Sequence, residues 1–193
     1  MPVLTADWTD DDCAAEIAVC DALGIDDVTV PLQVWANESD NKPGAHNPNG
    51  DASGIFQLMP SIAKGLGYNV AADPHLEVFR RAGVTEQLRW ATKFYGNHRG
   101  QVGTVARFYL CTFLPALLSC GDDMSHAIAA KGGTLSGAYD ANPVFDHDHK
   151  GWITVGDLVA AAARATGPRT RELMARVVAI KAARADTDPA PGT

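Results

Sequence analysis

The sequence is short of glutamate, of basic residues, of paired-cysteine spacing and of long apolar runs, and each shortage narrows what the chain does. Only five of its 23 acidic residues are glutamates: Glu16, Glu38, Glu77, Glu86 and Glu172. Basic residues number 16 against those 23 acids, a net charge of -7, so there is no electrostatic footprint for gripping a phosphate backbone or an anionic membrane surface. Nucleic acid and membrane are not expected partners. No stretch approaches the roughly 18 continuous apolar residues of a membrane helix, the longest apolar region, Phe108 to Leu118, being short and interrupted. The first thirty residues carry Asp7, Asp10, Asp11, Asp12, Glu16 and Asp21, the opposite of a basic-then-apolar secretory leader, and no signal peptide is expected. Cys13, Cys20, Cys111 and Cys120 follow neither CxxC nor Cys/His zinc spacing. Cys13 and Cys20 on one helix would stand about 10 Å apart, beyond a disulfide. Four buried thiols is the plain reading; pairing between the two cysteine-bearing segments stays open.

What is present is a globular composition. Hydrophobic residues at 46% and charged residues at 20% exclude a disordered chain or a fibre. A length of 193 residues suits one core, here expected over 1–184, with a flexible tail over 185–193. Helical punctuation dominates: Thr9 and three aspartates open a helix that Gly24 stops, and Pro31 opens a short apolar one over 31–38. Residues 39–53 (SDNKPGAHNPNGDAS) carry no apolar periodicity and form a long loop or small hairpin turning at Asn49-Gly50. Loops of that length in a compact domain are usually functional. Further helices are expected over 60–65, 73–82, 85–95, 102–118, 124–130, 134–140, 154–166 and 168–183, for a mainly α fold.

Four of the glutamates sit in amphipathic segments beside other charges, where a solvated helix face is the ordinary explanation. Glu38 differs. It closes the short apolar helix one turn after Trp35 and faces the polar loop. A carboxyl beside an apolar ring has its charged form disfavoured, which lifts its pKa toward the range of a general acid. The competing reading is a helix-end residue bonding loop backbone.

The run from Val34 to Tyr68, VWANESDNKPGAHNPNGDASGIFQLMPSIAKGLGY, resembles the signature of the soluble lytic transglycosylases, goose-type-lysozyme-like enzymes that cut peptidoglycan. That signature has an apolar helix ending in Glu-Ser, an Asn/Gly-rich loop, a Gly-Leu-(Met/Phe)-Gln-(Ile/Leu)-Met-Pro run, then Thr-Ala and Leu-Gly. Here Glu38-Ser39, Gly54 to Pro60, Ile62-Ala63 and Leu66-Gly67 match in order, while the later segment, in which Tyr109 is followed by Phe113-Leu114-Pro115, resembles the phage and prophage members. Downstream the family has Ala-x-x-Tyr-Asn. Ala106 to Tyr109 match it, Leu110 replaces the Asn, and Thr112 stands where a polar cleft residue would be.

The resemblance implies a lysozyme-like fold and a single acid/base, Glu38, cleaving the bond between MurNAc and GlcNAc to leave a 1,6-anhydro product. Ser39, Gln57, Tyr109 and Thr112 would bind or orient substrate. It implies peptidoglycan glycan strands as partner, with other virion proteins as a further class, and delivery to the wall in a virion or through a holin-type lesion. No cofactor is required. A hydrolase would need a second carboxylate roughly 5–9 Å from the first, for which Asp51, and less readily Asp40, are the candidates; a turn aspartate bonding its own backbone is the plainer account of Asp51. Tyr109 also reads as a core aromatic. A non-catalytic virion component of the same fold is the remaining alternative.

Residues 146–157 have the frame of a twelve-residue EF-hand calcium loop: Asp146 and Asp148 at positions 1 and 3, Gly151 at 6, Ile153 at 8 and Asp157 at 12. Lys150 at position 5 would repel the ion and Asp157 is shorter than the usual Glu, so calcium is expected to bind weakly or not at all. In a relic loop, Lys150 would supply an internal positive charge instead. His147 and His149 read as exposed loop residues.

Overall fold

The computed structural model describes residues 8–48, 50–133 and 135–187. Helix α1 (Asp10–Leu23) starts as its sequence dictates: Thr9 Oγ1 accepts from Asp12 N, Asp12 Oδ2 accepts from Thr9 N, and Gly24 ends it at φ 71°. Helix α2 (Thr29–Ser39) begins two residues before the expected Pro31, following a turn in which the Asp27 carboxylate accepts from both Thr29 N and Thr29 Oγ1. Then follow α3 (Pro60–Gly65), α4 (Glu77–Arg81), α5 (Val84–Tyr95), α6 (Val105–Phe113), α7 (Ser136–Ala141), α8 (Val155–Ala165) and α9 (Pro168–Thr187). Short 3-10 turns cover Gly96–His98, Pro115–Cys120 and Pro143–Phe145.

The chain is mainly helical, with one small sheet. Strand β1 (Ala127–Ala130) pairs antiparallel with β2 (Trp152–Thr154), Ala129 opposite Ile153 and Ala130 opposite Trp152. This corrects the helix expected over 124–130. Asp123 Oδ1 instead caps a turn at Ser125, and Gly132 and Gly133 follow the alanines after Lys131 alone, leaving too few residues to repay helix nucleation. A distant strand supplies the backbone partners. The helix expected over 102–118 ends at Phe113, where Pro115 denies the next turn, and the one expected over 73–82 is cut to α4 by a turn in which Asp73 accepts from Phe79 N. The long last helix runs to Thr187, so the first residues of the expected tail are helical; 188–193, Asn49 in the expected turn and Thr134 at an expected helix start lie outside the described residues.

One cluster of buried side chains extends from Trp8 to Val177. Helix α2 runs through its middle, with Leu32, Val34 and Trp35 fully buried, and packs on α6, α8 and α9. Helix α1 packs on α5 and α9. Glu16 departs from the solvated face expected for it. It is fully buried on α1, with Oε1 accepting from Cys20 Sγ at 3.1 Å and Oε2 without a partner. All four cysteines are free thiols, Cys13, Cys20 and Cys111 buried and Cys120 partly exposed.

Candidate functional site

The chemistry-bearing end of α2 is held by the loop that follows it. Asp40 and Asn41 both take left-handed backbone, at φ 56°, which turns the chain sharply away after Ser39. Buried Asn41 then ties the turn down: Nδ2 donates to Leu32 O (3.1 Å) and Thr170 Oγ1 (3.2 Å), while Asn41 O accepts from Trp8 Nε1 (2.9 Å). The loop closes as a small hairpin, His46 bridging Ser53 and Ser53 bridging Leu58. Arg80 braces it, with Nη1 reaching His46 Nδ1, Ser53 Oγ and His75 O.

A buried amide that the sequence did not single out fixes the loop against α5. Gln87 Oε1 accepts from Ile55 N (2.8 Å) and Nε2 donates to Pro43 O (2.9 Å) and Phe79 O (3.3 Å). Gly54 must be glycine here: its φ is +77°, and a Cβ would lie 2.4 Å from Gln87 Oε1 and 2.6 Å from Phe79 Cε1. The only sequence signal for Gln87 is a polar residue at a core-facing position of an amphipathic helix.

The result is a cavity of about 240 Å³ lined in part by Glu38. Phe56, Leu58, Met59, Ile62, Phe94 and Phe113 make its walls apolar, and Gln57 and Thr112 add polar groups. Three of the sequence-predicted site residues, Glu38, Gln57 and Thr112, are therefore brought together. Gln57, at φ 51°, donates from Nε2 to Gly54 O at 3.0 Å. Thr112 ends a chain of hydroxyls in which Trp35 Nε1 donates to Tyr95 OH (3.3 Å) and Tyr95 OH pairs with Thr112 Oγ1 (2.9 Å), Thr112 donating in turn to Phe108 O (3.0 Å). Tyr95, fully buried, is another member the sequence did not reveal.

Burial pushes the Glu38 carboxyl up to about 7, and a hydrogen bond from Tyr109 opposes the shift without cancelling it. Tyr109 is fully buried behind Glu38, and its oxygen accepts from Asn37 Nδ2, which leaves its own proton for the Glu38 carboxylate. Near neutral pH such a carboxyl both holds and releases a proton, the property a general acid and base needs.

Three other candidate residues lie elsewhere. Ser39 does not face the cavity: it is buried, and its Oγ donates to Ile55 O (2.6 Å) and Trp35 O (3.2 Å), stapling the end of α2 to the Gly54–Leu58 turn. Asp51, at φ 57°, pairs with His75 Nδ1 at 3.3 Å on the exposed side of the hairpin, and Asp40 pairs with Lys42 at 2.9 Å. Among the described residues, no carboxylate besides Glu38 lines the cavity.

In the 146–157 loop, the acids already hold a cation. Lys150 Nζ lies 3.1 Å from Asp148 Oδ1 and 2.7 Å from Asp157 Oδ2. Buried Asp146 accepts from Lys150 N, Gly151 N and Tyr139 OH, and Asp157 also accepts from Thr154 N and Thr154 Oγ1, completing the capping box in which Thr154 is the N-cap of α8. Burial would raise these carboxyls, but the hydrogen bonds and the ammonium outweigh it and hold both below the usual carboxylate range. A divalent ion would have to displace the ammonium and strip those bonds, so the residues as arranged do not fit calcium. His147 and His149 are exposed.

Comparison with protein-family models, with curated proteins and with solved structures returns no match for this chain.

Proposed function

We propose that the protein is a peptidoglycan lytic transglycosylase with a lysozyme-like domain, in which Glu38 is the single acid and base. The observation that carries this reading is a carboxyl lifted to about 7 by burial, lining an apolar-walled cavity that no second carboxylate lines among the described residues. The order of motifs from Glu38-Ser39 to Leu66-Gly67 supports the same reading.

Protonated Glu38 donates to the glycosidic oxygen as the bond from MurNAc C1 breaks, freeing the GlcNAc hydroxyl. The resulting carboxylate takes the proton of the MurNAc C6 hydroxyl, whose oxygen bonds C1 and closes the 1,6-anhydro ring. The proton returned to Glu38 restores the starting state, and no water is consumed. Tyr109 stabilises the carboxylate between the two transfers. Phe56, Phe94 and Phe113 exclude water and offer apolar faces to sugar rings, while Gln57 and Thr112 offer hydrogen bonds. Ser39 positions the Gly54–Leu58 turn rather than substrate. Asp51, held by His75 outside the cavity lining, takes no part, which favours ring closure over hydrolysis. Glycan strands are the substrate, no cofactor enters the reaction, and delivery to the wall is by a virion or a holin-type lesion of a bacteriophage. The 146–157 segment is then a calcium loop in frame whose cation is Lys150.

The test is mass spectrometry of purified peptidoglycan digested by the parent and by Glu38→Gln. Anhydro-muropeptides from the parent alone are expected. Products heavier by one water would replace this mechanism with hydrolysis, and intact glycan from both proteins would end the enzyme reading.

A further inference from the structure

We propose that a second cavity, on the other flank of the α2 terminus, binds a carboxylate of the peptide stem borne by the glycan strand, with Arg164 as its anchor. The inference rests on the lytic reading above for the identity of the strand, and on the following geometry for the subsite. The cavity measures about 300 Å³, the scale of an amino-acid residue, and Asn37, Val144, Phe145, His147 and Arg164 line it. Asn37 immediately precedes Glu38, and its Nδ2 donates to the Tyr109 hydroxyl that bonds the Glu38 carboxylate. One side chain thus stands between the two cavities.

The charge at this place runs against that of the molecule. The chain carries a net -7, and six of its 16 lysines and arginines are held by acids: Lys42 by Asp40, Arg81 by Glu77, Arg89 by Glu86, Arg107 by Asp122, Arg176 by Asp10 and Lys150 by Asp148 and Asp157. Among the described residues, exposed Arg164 has no ion-pair partner, although acids flank the cavity in sequence. Those acids are turned inward: Asp146 accepts from Tyr139 OH, Lys150 N and Gly151 N, and Asp148 faces Lys150 Nζ. What remains toward the cavity is a guanidinium, an imidazole and an amide over an apolar floor of Phe145 and Ala161. A planar guanidinium matches a carboxylate with two parallel hydrogen bonds. Val144, 73% exposed at the rim, offers the apolar contact that aliphatic peptide side chains seek.

The test is an NMR titration of the full chain with the free stem peptide released from peptidoglycan by an amidase, and with the same peptide amidated at its carboxyls. The parent is expected to bind the free peptide with shifts at Asn37 and Ala161, and the amidated peptide about tenfold more weakly; Arg164→Gln should lose about tenfold for the free form alone. In parallel, the parent should prefer stem-bearing strands to amidase-stripped ones, and Arg164→Gln should bring that ratio toward one through KM. Equal binding of both peptides, an unchanged affinity in Arg164→Gln, or no strand preference would each overturn the subsite. If the parent cuts neither strand yet binds the free peptide through Arg164, the subsite stands and the lytic reading falls. If it cuts both and binds no peptide, the lytic reading stands and the subsite falls.

Discussion

Two desolvated glutamates, one fully buried and one at a cavity, show the same physics in different settings. Glu16 on α1 and Glu38 on α2 are both pushed up by burial, to about 8 and about 7 respectively. Glu16 is sealed: it is fully buried, meets a Cys20 thiol and has one oxygen without a partner. Glu38 opens onto a cavity, and Tyr109, itself fixed by Asn37, holds its carboxylate from behind. The more strongly shifted group is the one sealed in the core. A raised pKa therefore marks a candidate only where access and a supporting partner accompany it.

The sharpest way to break this comparison is to neutralise each carboxyl in turn. Glu38→Gln should lower turnover of peptidoglycan about a thousandfold, the usual worth of a positioned proton donor, whereas Glu16→Gln should leave turnover intact. Next in size is Gly54→Ala, which forces a methyl onto Gln87 and Phe79 at φ +77° and should cost about 2–4 kcal/mol in denaturant unfolding. It should also lower turnover, because the displaced Gly54–Leu58 turn carries Phe56, Gln57 and Leu58 of the Glu38 cavity.

The stability consequence of Glu16 has a definite sign. Its folded pKa of about 8 lies above the ordinary 4.5, so across that window the native state keeps a proton that the unfolded chain has released. Stability should fall as pH rises from about 4.5 to about 8 and level off beyond, with Glu38 adding in the same direction up to about 7. Urea melts across this range should show the slope, and Glu16→Gln should flatten it, gaining on the order of a few kcal/mol over the parent above pH 8. The smaller effects sharpen the picture at Glu38. Tyr109→Phe removes the bond that favours the carboxylate, so the alkaline limb of the pH–rate profile should move to higher pH while the rate falls several-fold. Asp51→Asn should change turnover by no more than about twofold, because its partner is the exposed His75.

How much of this was legible in sequence varies with the range of the forces involved. The caps of α1, the place of Glu38 one turn after Trp35, and the ring beside it follow from local chemistry and were readable directly. The strand at Ala127–Ala130 was not, since its backbone partners lie at Trp152–Thr154 and nothing within the alanine run names them. Glu16 read as a solvated residue because its neighbours Asp12 and Asp21 are charged; what buries it is the packing of α1. The resemblance implied a substrate contact for Ser39, whose hydroxyl donates to Ile55 O across the loop. Gln87 and Tyr95 carry no local mark at all, and both act by reaching segments distant in sequence.

The sequence by itself determined the helical class, the punctuation of most helices, the chemical types available, and the frame of the 146–157 loop with a lysine among its acids. These depend on residues within a turn or two of one another, where backbone sterics and capping bonds act. Tertiary structure alone decided which glutamate meets a cavity, which aspartates are held away from it, and which amide fixes the loop that walls it. Desolvation and access depend on what packs from elsewhere in the chain, and that is settled only when α1, α2, α5 and α6 close around one core.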